Sequence, residues 1–259
     1  MNKYFKNVTP TSADYYIYGT IEDVKLDENS VVANEMKQEL DELGNIKDLN
    51  IYINSPGGSV FASSTIVSLL KRFKEKTNCK IHSYIDGLCA SAATYLCMIA
   101  DDINIYQNSI MMIHKPMSYV IGNSNDMQKE IDTLNTIEND LMLPMYMKKA
   151  LKSEDEIKQL VNDETWFNGN ENDDLYVGNY FDVNLIDEEK QAVACVSEDL
   201  FRNYKHIPSN LRNLLDQKEK PKQEEKPKQI ENNQVEKEEE EKIDYSEYEK
   251  TISLLKEEK

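Results

Sequence analysis

The sequence has no run of 18 apolar residues, few cysteines and histidines, and a deficit of positive charge. Without such a run, no membrane-spanning helix is predicted. The four cysteines show no C-x-x-C or metal-ligand spacing, so we expect reduced thiols and neither a metal nor a cofactor. The net charge of −18 argues against nucleic acid and anionic membranes as ligands and is compatible with basic or neutral polypeptides. The N-terminus lacks an apolar signal core, which predicts a cytoplasmic protein.

Short apolar runs alternate with helical patterns along the first half of the chain. The predicted strands are Tyr15–Gly19, Leu49–Ile53, Lys80–Ile85, Ile103–Tyr106 and Ile110–Ile113. The predicted helices are Val31–Leu43, Ser59–Lys76 and Asn125–Leu151, the last with an interruption near Pro144. This alternation predicts an α/β fold built from parallel βαβ units. Ligands bind such sheets at the carboxyl ends of the strands.

One hydroxyl lies at a predicted strand-to-helix turn in the stretch Tyr84 to Tyr95, Y-I-D-G-L-C-A-S-A-A-T-Y. This is Ser91, which follows an apolar strand and begins a run of small residues. Free N–H groups at a helix N-terminus favour a developing negative charge, and a sharp strand-to-helix turn is a usual way to present a nucleophilic serine. Taken alone, Ser91 is better explained as the N-cap of a buried helix.

Two further stretches favour the catalytic interpretation. Asn54–Ser59, N-S-P-G-G-S, follows a strand, and its glycine pair can expose backbone N–H groups as an oxyanion hole does. By itself it could be an ordinary turn. His114 ends the strand Ile110–Ile113 and is followed closely by Pro116. A lone histidine there is more often structural, but a serine and a histidine at neighbouring strand ends are what a base–nucleophile pair needs.

Together these stretches resemble the proteolytic subunit of the Clp protease, and more closely the Clp-like prohead (head maturation) proteases of tailed phages. The matching motifs are I-N-S-P-G-G-S-V at 53–60, G-L-C-A-S-A-A at 87–93 and M-I-H-K-P at 112–116. They occur in the order of the family and at about its spacing, and the resemblance covers roughly Tyr16 to Asp187.

The resemblance implies a Clp/crotonase-like fold with a projecting long helix, and a serine endopeptidase. Ser91 would be the nucleophile, His114 the general base, and the N–H groups of Gly58 and Ala92 the oxyanion hole. The implied partners are a polypeptide substrate, further copies of the chain in a ring, and capsid or scaffold proteins in the cytoplasm of a phage host. The N-terminal segment that meets the ATPase partner in the family is nearly missing, which argues against ATPase-gated degradation.

The sequence offers three candidates for a third catalytic residue beside Ser91 and His114. When the segment is aligned on Phe167, the aspartate position of the family carries Thr165, with Asp163 and Glu164 beside it. Similar Glu-Thr-Trp sequences occur among the phage-type relatives. We prefer Asp163, because a carboxylate stabilises the imidazolium of His114 better than a hydroxyl does. Solvated loop carboxylates are a competing interpretation.

The predicted organisation is a lead-in at 1–14, a peptidase domain at 15–200, a short helical extension at 201–215, and a charged, disordered tail at 216–259 with a weak terminal helix. Such a tail could tether the protein to an assembling shell. Two other functions remain open. Thr165 in the aspartate position would suit an inactive assembly protein that kept the fold, and the glycine turn would also suit a crotonase-type acyl-CoA enzyme.

Overall fold

The computed structural model describes residues 4–186 together with Tyr204, His206 and Ile207. The strands are β1 (Phe5–Lys6), β2 (Ser12–Tyr18), β3 (Ile21–Glu22), β4 (Val31–Val32), β5 (Asp48–Ser55), β6 (Lys80–Ala90), β7 (Asp102–Tyr106), β8 (Ile110–Ile113), β9 (Thr165–Asn168) and β10 (Asn184–Ile186). The helices are α1 (Ala33–Glu42), α2 (Val60–Thr77), α3 (Thr94–Met98), α4 (Ser124–Thr136), α5 (Leu143–Tyr146) and α6 (Glu154–Asn162). Short 3-10 segments lie at Ser91–Ala93 and Val177–Asn179, and a π-helical segment lies at Ile137–Met142.

Eight strands of the described region form one mainly parallel sheet, in the order β1-β2-β5-β6-β7-β10. The C-terminal part of β6, Leu88–Ala90, pairs with β8, and β8 in turn pairs with β9. The pairs β1–β2 and β8–β9 are antiparallel, and the other pairs of this sheet are parallel. A separate parallel pair joins β3 to β4. The α/β fold with a mostly parallel sheet predicted from the sequence is therefore confirmed.

The core lies on one face of this sheet, because residues of β2 and β5 alternate between buried and half-buried positions. Ile51 and Ile53 point into a cluster that includes Ile66 and Leu70 of α2. The helix begins where it does because the Ser59 hydroxyl accepts the Ala62 N–H and caps it. Strand and helix are thus packed as a βαβ unit, and the turn between them is held at the edge where ligands bind.

The N-terminal residues differ from the expected loose lead-in. Phe5–Lys6 pairs with β2, and Tyr4 and Phe5 are each only 3% exposed. The rings of both residues pack against Tyr15, with centroid distances of 5.6 and 4.7 Å. The aromatic burial outweighs the polar composition of the segment, so this part of the chain belongs to the folded domain.

The long predicted helix divides into three parts: α4, the π-helical segment and α5. Asn123 caps α4 in a capping box with Asp126, and no residue of α4 is buried. The ordered helix ends at Tyr146, five residues before the predicted end at Leu151. The predicted helical extension at 201–215 and the predicted charged tail at 216–259 lie outside the described residues, except for Tyr204, His206 and Ile207.

Candidate active site

Ser91 lies at the end of β6, where the chain leaves the sheet. The strand continues past Gly87 to Ala90, further than the sequence predicted, and the turn follows at Ser91 itself, which has φ +53°. The left-handed conformation is uncommon for serine and indicates strain of the kind found at functional sites. The strained turn is held by two hydroxyls, because Thr94 Oγ1 donates to the Ser91 carbonyl (2.5 Å) and Ser63 Oγ donates to the Ala92 carbonyl (2.6 Å).

His114 follows β8, which pairs with the C-terminal part of β6. Parallel pairing of Ala90 with Met112 brings the ends of both strands together, and His114 Nε2 lies 2.8 Å from Ser91 Oγ. Burial holds the pKa of His114 below its usual value, and the negative charge of Glu164 partly opposes this shift. The imidazole is therefore mostly neutral at pH 7 and able to accept the serine proton.

The glycine pair lies directly beside the serine. Gly57 has φ +92° and Gly58 has φ +138°. A Cβ atom on Gly57 would come within 2.8 Å of the Ser91 Cβ atom and 2.9 Å of the Ala92 nitrogen. A Cβ atom on Gly58 would come within 2.1 Å of the Ile21 carbonyl oxygen. Only glycine can occupy both positions without displacing backbone, so this close approach explains the Pro-Gly-Gly turn.

The three residues considered for the third role occupy different positions. The Asp163 carboxylate is exposed and accepts hydrogen bonds from the side chains of Gln159 (2.9 Å) and Asn162 (3.3 Å). Thr165 donates its hydroxyl to the Leu160 carbonyl at 2.7 Å. Among the described residues, no hydrogen bond from either side chain to His114 is found. The structure brings Ser91 and His114 together and does not bring Asp163 to them.

Glu164 is the carboxylate that acts on His114. The β8–β9 ladder ends with the pair Ile113–Thr165, so His114 and Glu164 each lie one residue beyond it. Glu164 is 9% exposed and has φ +52°, a second left-handed position at this site. Burial lowers the pKa of His114, and the negative charge of Glu164 acts in the opposite direction. Glu164, rather than the exposed Asp163, is therefore the carboxylate whose charge influences His114.

Tyr204 lies over the same cleft, a contact that the sequence did not reveal. Its hydroxyl donates to the Pro56 carbonyl at 3.0 Å, and its ring meets the His114 ring edge-on with a centroid distance of 5.4 Å. The only signal in the sequence is that Tyr204 and Ile207 are apolar residues in a mostly polar stretch. That pattern does not indicate where such residues dock.

The cleft as a whole is lined by backbone of the glycine turn, by Ser91 and His114, and by apolar side chains. Its apolar lining includes Val60, Met117 and Met142. An extended peptide would find a nucleophile, a base and a glycine-flanked turn on one wall of this cleft. Nucleophilic acyl transfer is the chemistry that such an arrangement can perform.

The described residues also bear on metal binding and on membrane spans. Within residues 4–186 and the three residues described beyond them, no group of three or more His, Cys, Asp or Glu side chains could hold a metal ion. Over the same residues, no helix is both long enough and apolar enough to cross a membrane.

Sequence comparison places the chain among known proteins. A family model for Clp protease matches residues 17–175, more than half of the chain. Curated relatives include an ATP-dependent Clp protease proteolytic subunit 2 from Parasynechococcus marenigrum, 29% identical over 110 residues, which cover 42% of this chain and 49% of that protein. A protein of the same name from Chlamydia trachomatis is 32% identical over 97 residues, 37% of this chain and 46% of that protein.

The chain thus spans about half the length of the curated relatives it matches. The matched region contains the glycine turn, Ser91 and His114, which the structure gathers in one cleft. Because the family model matches more than half of its residues, the chain belongs to the Clp protease family.

Proposed function

We propose that the chain is a serine endopeptidase that cleaves polypeptides through an acyl-enzyme. The observation that carries this proposal is the 2.8 Å contact between His114 Nε2 and Ser91 Oγ beside the Gly57-Gly58 turn. It is supported by membership of the Clp protease family and by the burial that lowers the pKa of His114.

The proposed mechanism uses groups of this chain alone. His114 accepts the hydroxyl proton as Ser91 Oγ attacks the peptide carbonyl carbon. The oxyanion is stabilised by the N–H groups of Gly58 and Ala92, and loss of one such donor costs about 3 kcal/mol of barrier. His114 then protonates the departing amine, and a water molecule repeats the sequence to release the acyl group. Glu164 takes the role first assigned to Asp163, because its charge stabilises the imidazolium that forms.

The test is mass spectrometry after incubation with a fluorophosphonate probe. We expect one adduct on the wild type and none on Ser91→Ala or His114→Ala. Ser68→Ala removes an exposed hydroxyl of α2 and serves as the control that keeps the adduct. Folded wild-type protein that forms no adduct even on prolonged incubation would refute the proposal and favour the inactive assembly protein. Thermal protection by acyl-CoA, without an adduct, would favour the crotonase-type alternative.

A ring of identical subunits is part of this proposal. Helix α4 has no buried residue, and Met127 and Ile131 on it are 47% and 51% exposed. Tyr119 and Ile121 in the preceding loop are 99% and 100% exposed. Apolar side chains in such a continuous stretch are typical of a protein interface. The relatives named above are ATP-dependent proteases, and independence from an ATPase remains a prediction for this chain, as does its cytoplasmic location.

The narrower role in phage head maturation is a second candidate. It is supported by the Glu164-Thr165-Trp166 segment, which resembles the phage-type relatives. Capsid or scaffold proteins from the same genome should be cleaved by the wild type and not by Ser91→Ala. If these proteins stay intact while a general peptide substrate is cleaved, the maturation role is refuted and the peptidase proposal stands.

A further inference from the structure

Tyr204, His206 and Ile207, which lie beyond the continuously described residues 4–186, pack at the proposed active site. Tyr204 and Ile207 pack against a small apolar cluster formed by Leu88, Ala90, Met112 and Trp166. Leu88 and Ala90 belong to β6, and Met112 belongs to β8, so this cluster adjoins the strand ends that carry Ser91 and His114. The segment is therefore held by apolar contacts as well as by the hydrogen bonds that follow.

The Tyr204 hydroxyl is fixed in the cleft that holds Ser91 and His114. Tyr204 lines this cleft together with both residues, and its hydroxyl proton is donated to the Pro56 carbonyl at 3.0 Å. A substrate that approaches Ser91 from the cleft therefore meets the phenol. Burial raises the pKa of Tyr204 to about 12, so the phenol remains neutral at pH 7.

The phenol also occupies space that a substrate needs. A peptide carbonyl must approach Ser91 Oγ to about 3 Å before attack. Tyr204 already lines the cleft at Ser91, and its hydroxyl is held by the Pro56 carbonyl next to the glycine turn. Its ring stands edge-on to His114 and to Trp166, with centroid distances of 5.4 and 5.6 Å. A bound peptide and the ring cannot share this place.

The same segment engages the carboxylate that acts on the base. The His206 backbone N–H donates to Glu164 Oε1 at 2.9 Å, and His206 Nδ1 lies 3.0 Å from the Asp163 carbonyl oxygen. Glu164 is thus hydrogen-bonded to the same short segment whose Tyr204 ring packs against His114.

We propose that the segment carrying Tyr204, His206 and Ile207 is an autoinhibitory strap that occupies the substrate cleft and must leave before Ser91 can react. This inference rests on the proposed peptidase function. Reaction then proceeds from the open form only, so the observed rate is reduced by the fraction of chains that are open.

The test measures the rate of fluorophosphonate labelling of the full chain. Tyr204→Ala removes the ring, and Tyr204→Phe removes only the hydroxyl that donates to the Pro56 carbonyl. Phe61→Ala is the matched control, because Phe61 is an aromatic residue that is 63% exposed and does not line the cleft. We expect Tyr204→Ala to label on the order of tenfold faster than the wild type, Tyr204→Phe to lie between them, and Phe61→Ala to match the wild type.

A second readout uses the wild type and the only tryptophan of the chain. Because Tyr204 packs on Trp166, departure of the strap should change tryptophan emission at the same rate as labelling proceeds. Tyr204→Ala should lack this change.

Equal or slower labelling of Tyr204→Ala, or full labelling of the wild type without any change in emission, would overturn the strap while leaving the peptidase intact. Absence of an adduct on every variant would refute the peptidase proposal and the strap together.

Discussion

The carboxylate that serves His114 can be identified by comparing Glu164→Gln with Asp163→Asn. Each substitution removes one negative charge and keeps nearly the same shape. Glutamine also retains an oxygen that can accept the His206 N–H, so the contact to the strap is preserved. The two variants therefore differ in which of the two neighbouring negative charges is removed.

The expected effect comes from the charge of Glu164 beside His114. Two unit charges at ~6 Å and an effective dielectric of ~20 interact by ~3 kcal/mol, and water in the partly open cleft weakens this interaction. We therefore expect the pKa of His114 to fall in Glu164→Gln.

The direction of the change in the pKa of His114 follows from the charge of Glu164. The negative charge of Glu164 raises the pKa of His114, so its removal allows burial to lower that pKa further. In a profile of labelling rate between about pH 5 and pH 9, the acid limb should move to lower pH in Glu164→Gln. The plateau should fall roughly tenfold or more, because the imidazolium formed during attack is less stabilised. Asp163→Asn should keep both the limb and the plateau of the wild type.

The opposite pattern, a shifted limb in Asp163→Asn and an unchanged profile in Glu164→Gln, would refute the assignment of Glu164 and restore the sequence-based choice. Unchanged profiles in both variants would show that neither carboxylate assists the base.

Three further outcomes are expected. Gly57→Ala should abolish fluorophosphonate labelling while circular dichroism retains the α/β signal, because the added methyl would collide with backbone beside Ser91 at a φ of +92°; wild-type labelling would contradict this. Burial and the contact with Cys97 raise the pKa of the Cys89 thiol, so Cys89 should not react with a disulfide reagent at pH 8 until the protein unfolds; rapid modification of Cys89 in the folded protein, located by peptide mass spectrometry, would contradict this. Ile131→Asp should reduce the oligomer mass measured by light scattering without lowering the melting temperature, since this side chain is 51% exposed in the single chain; an unchanged mass would argue against α4 as the contact.

Local sequence patterns determined much of the fold and half of the proposed site. Alternating burial defined the strands, and β7 and β8 agree with the predicted ranges to within a residue. Ser91 and His114 could be identified because each lies at the end of an apolar strand, and parallel strands present such ends at one edge of the sheet. The glycine pair could be predicted for the same reason, since its turn chemistry is local.

Tertiary structure decided the features that depend on distant contacts. Tyr4 and Phe5 are buried by packing on Tyr15, which a polar composition conceals. Which of Asp163, Glu164 and Thr165 lies near His114 depends on how the segment that enters β9 packs against the end of β8.

The placement of Tyr204 over Ser91 is the clearest example of a distant contact. It joins residues more than a hundred positions apart, and no local pattern encodes such a meeting. The sequence by itself therefore determined which residues at the strand ends are candidates for catalysis. Only the folded structure decided which carboxylate lies near His114 and what lies over the cleft at Ser91, because both depend on how remote segments pack.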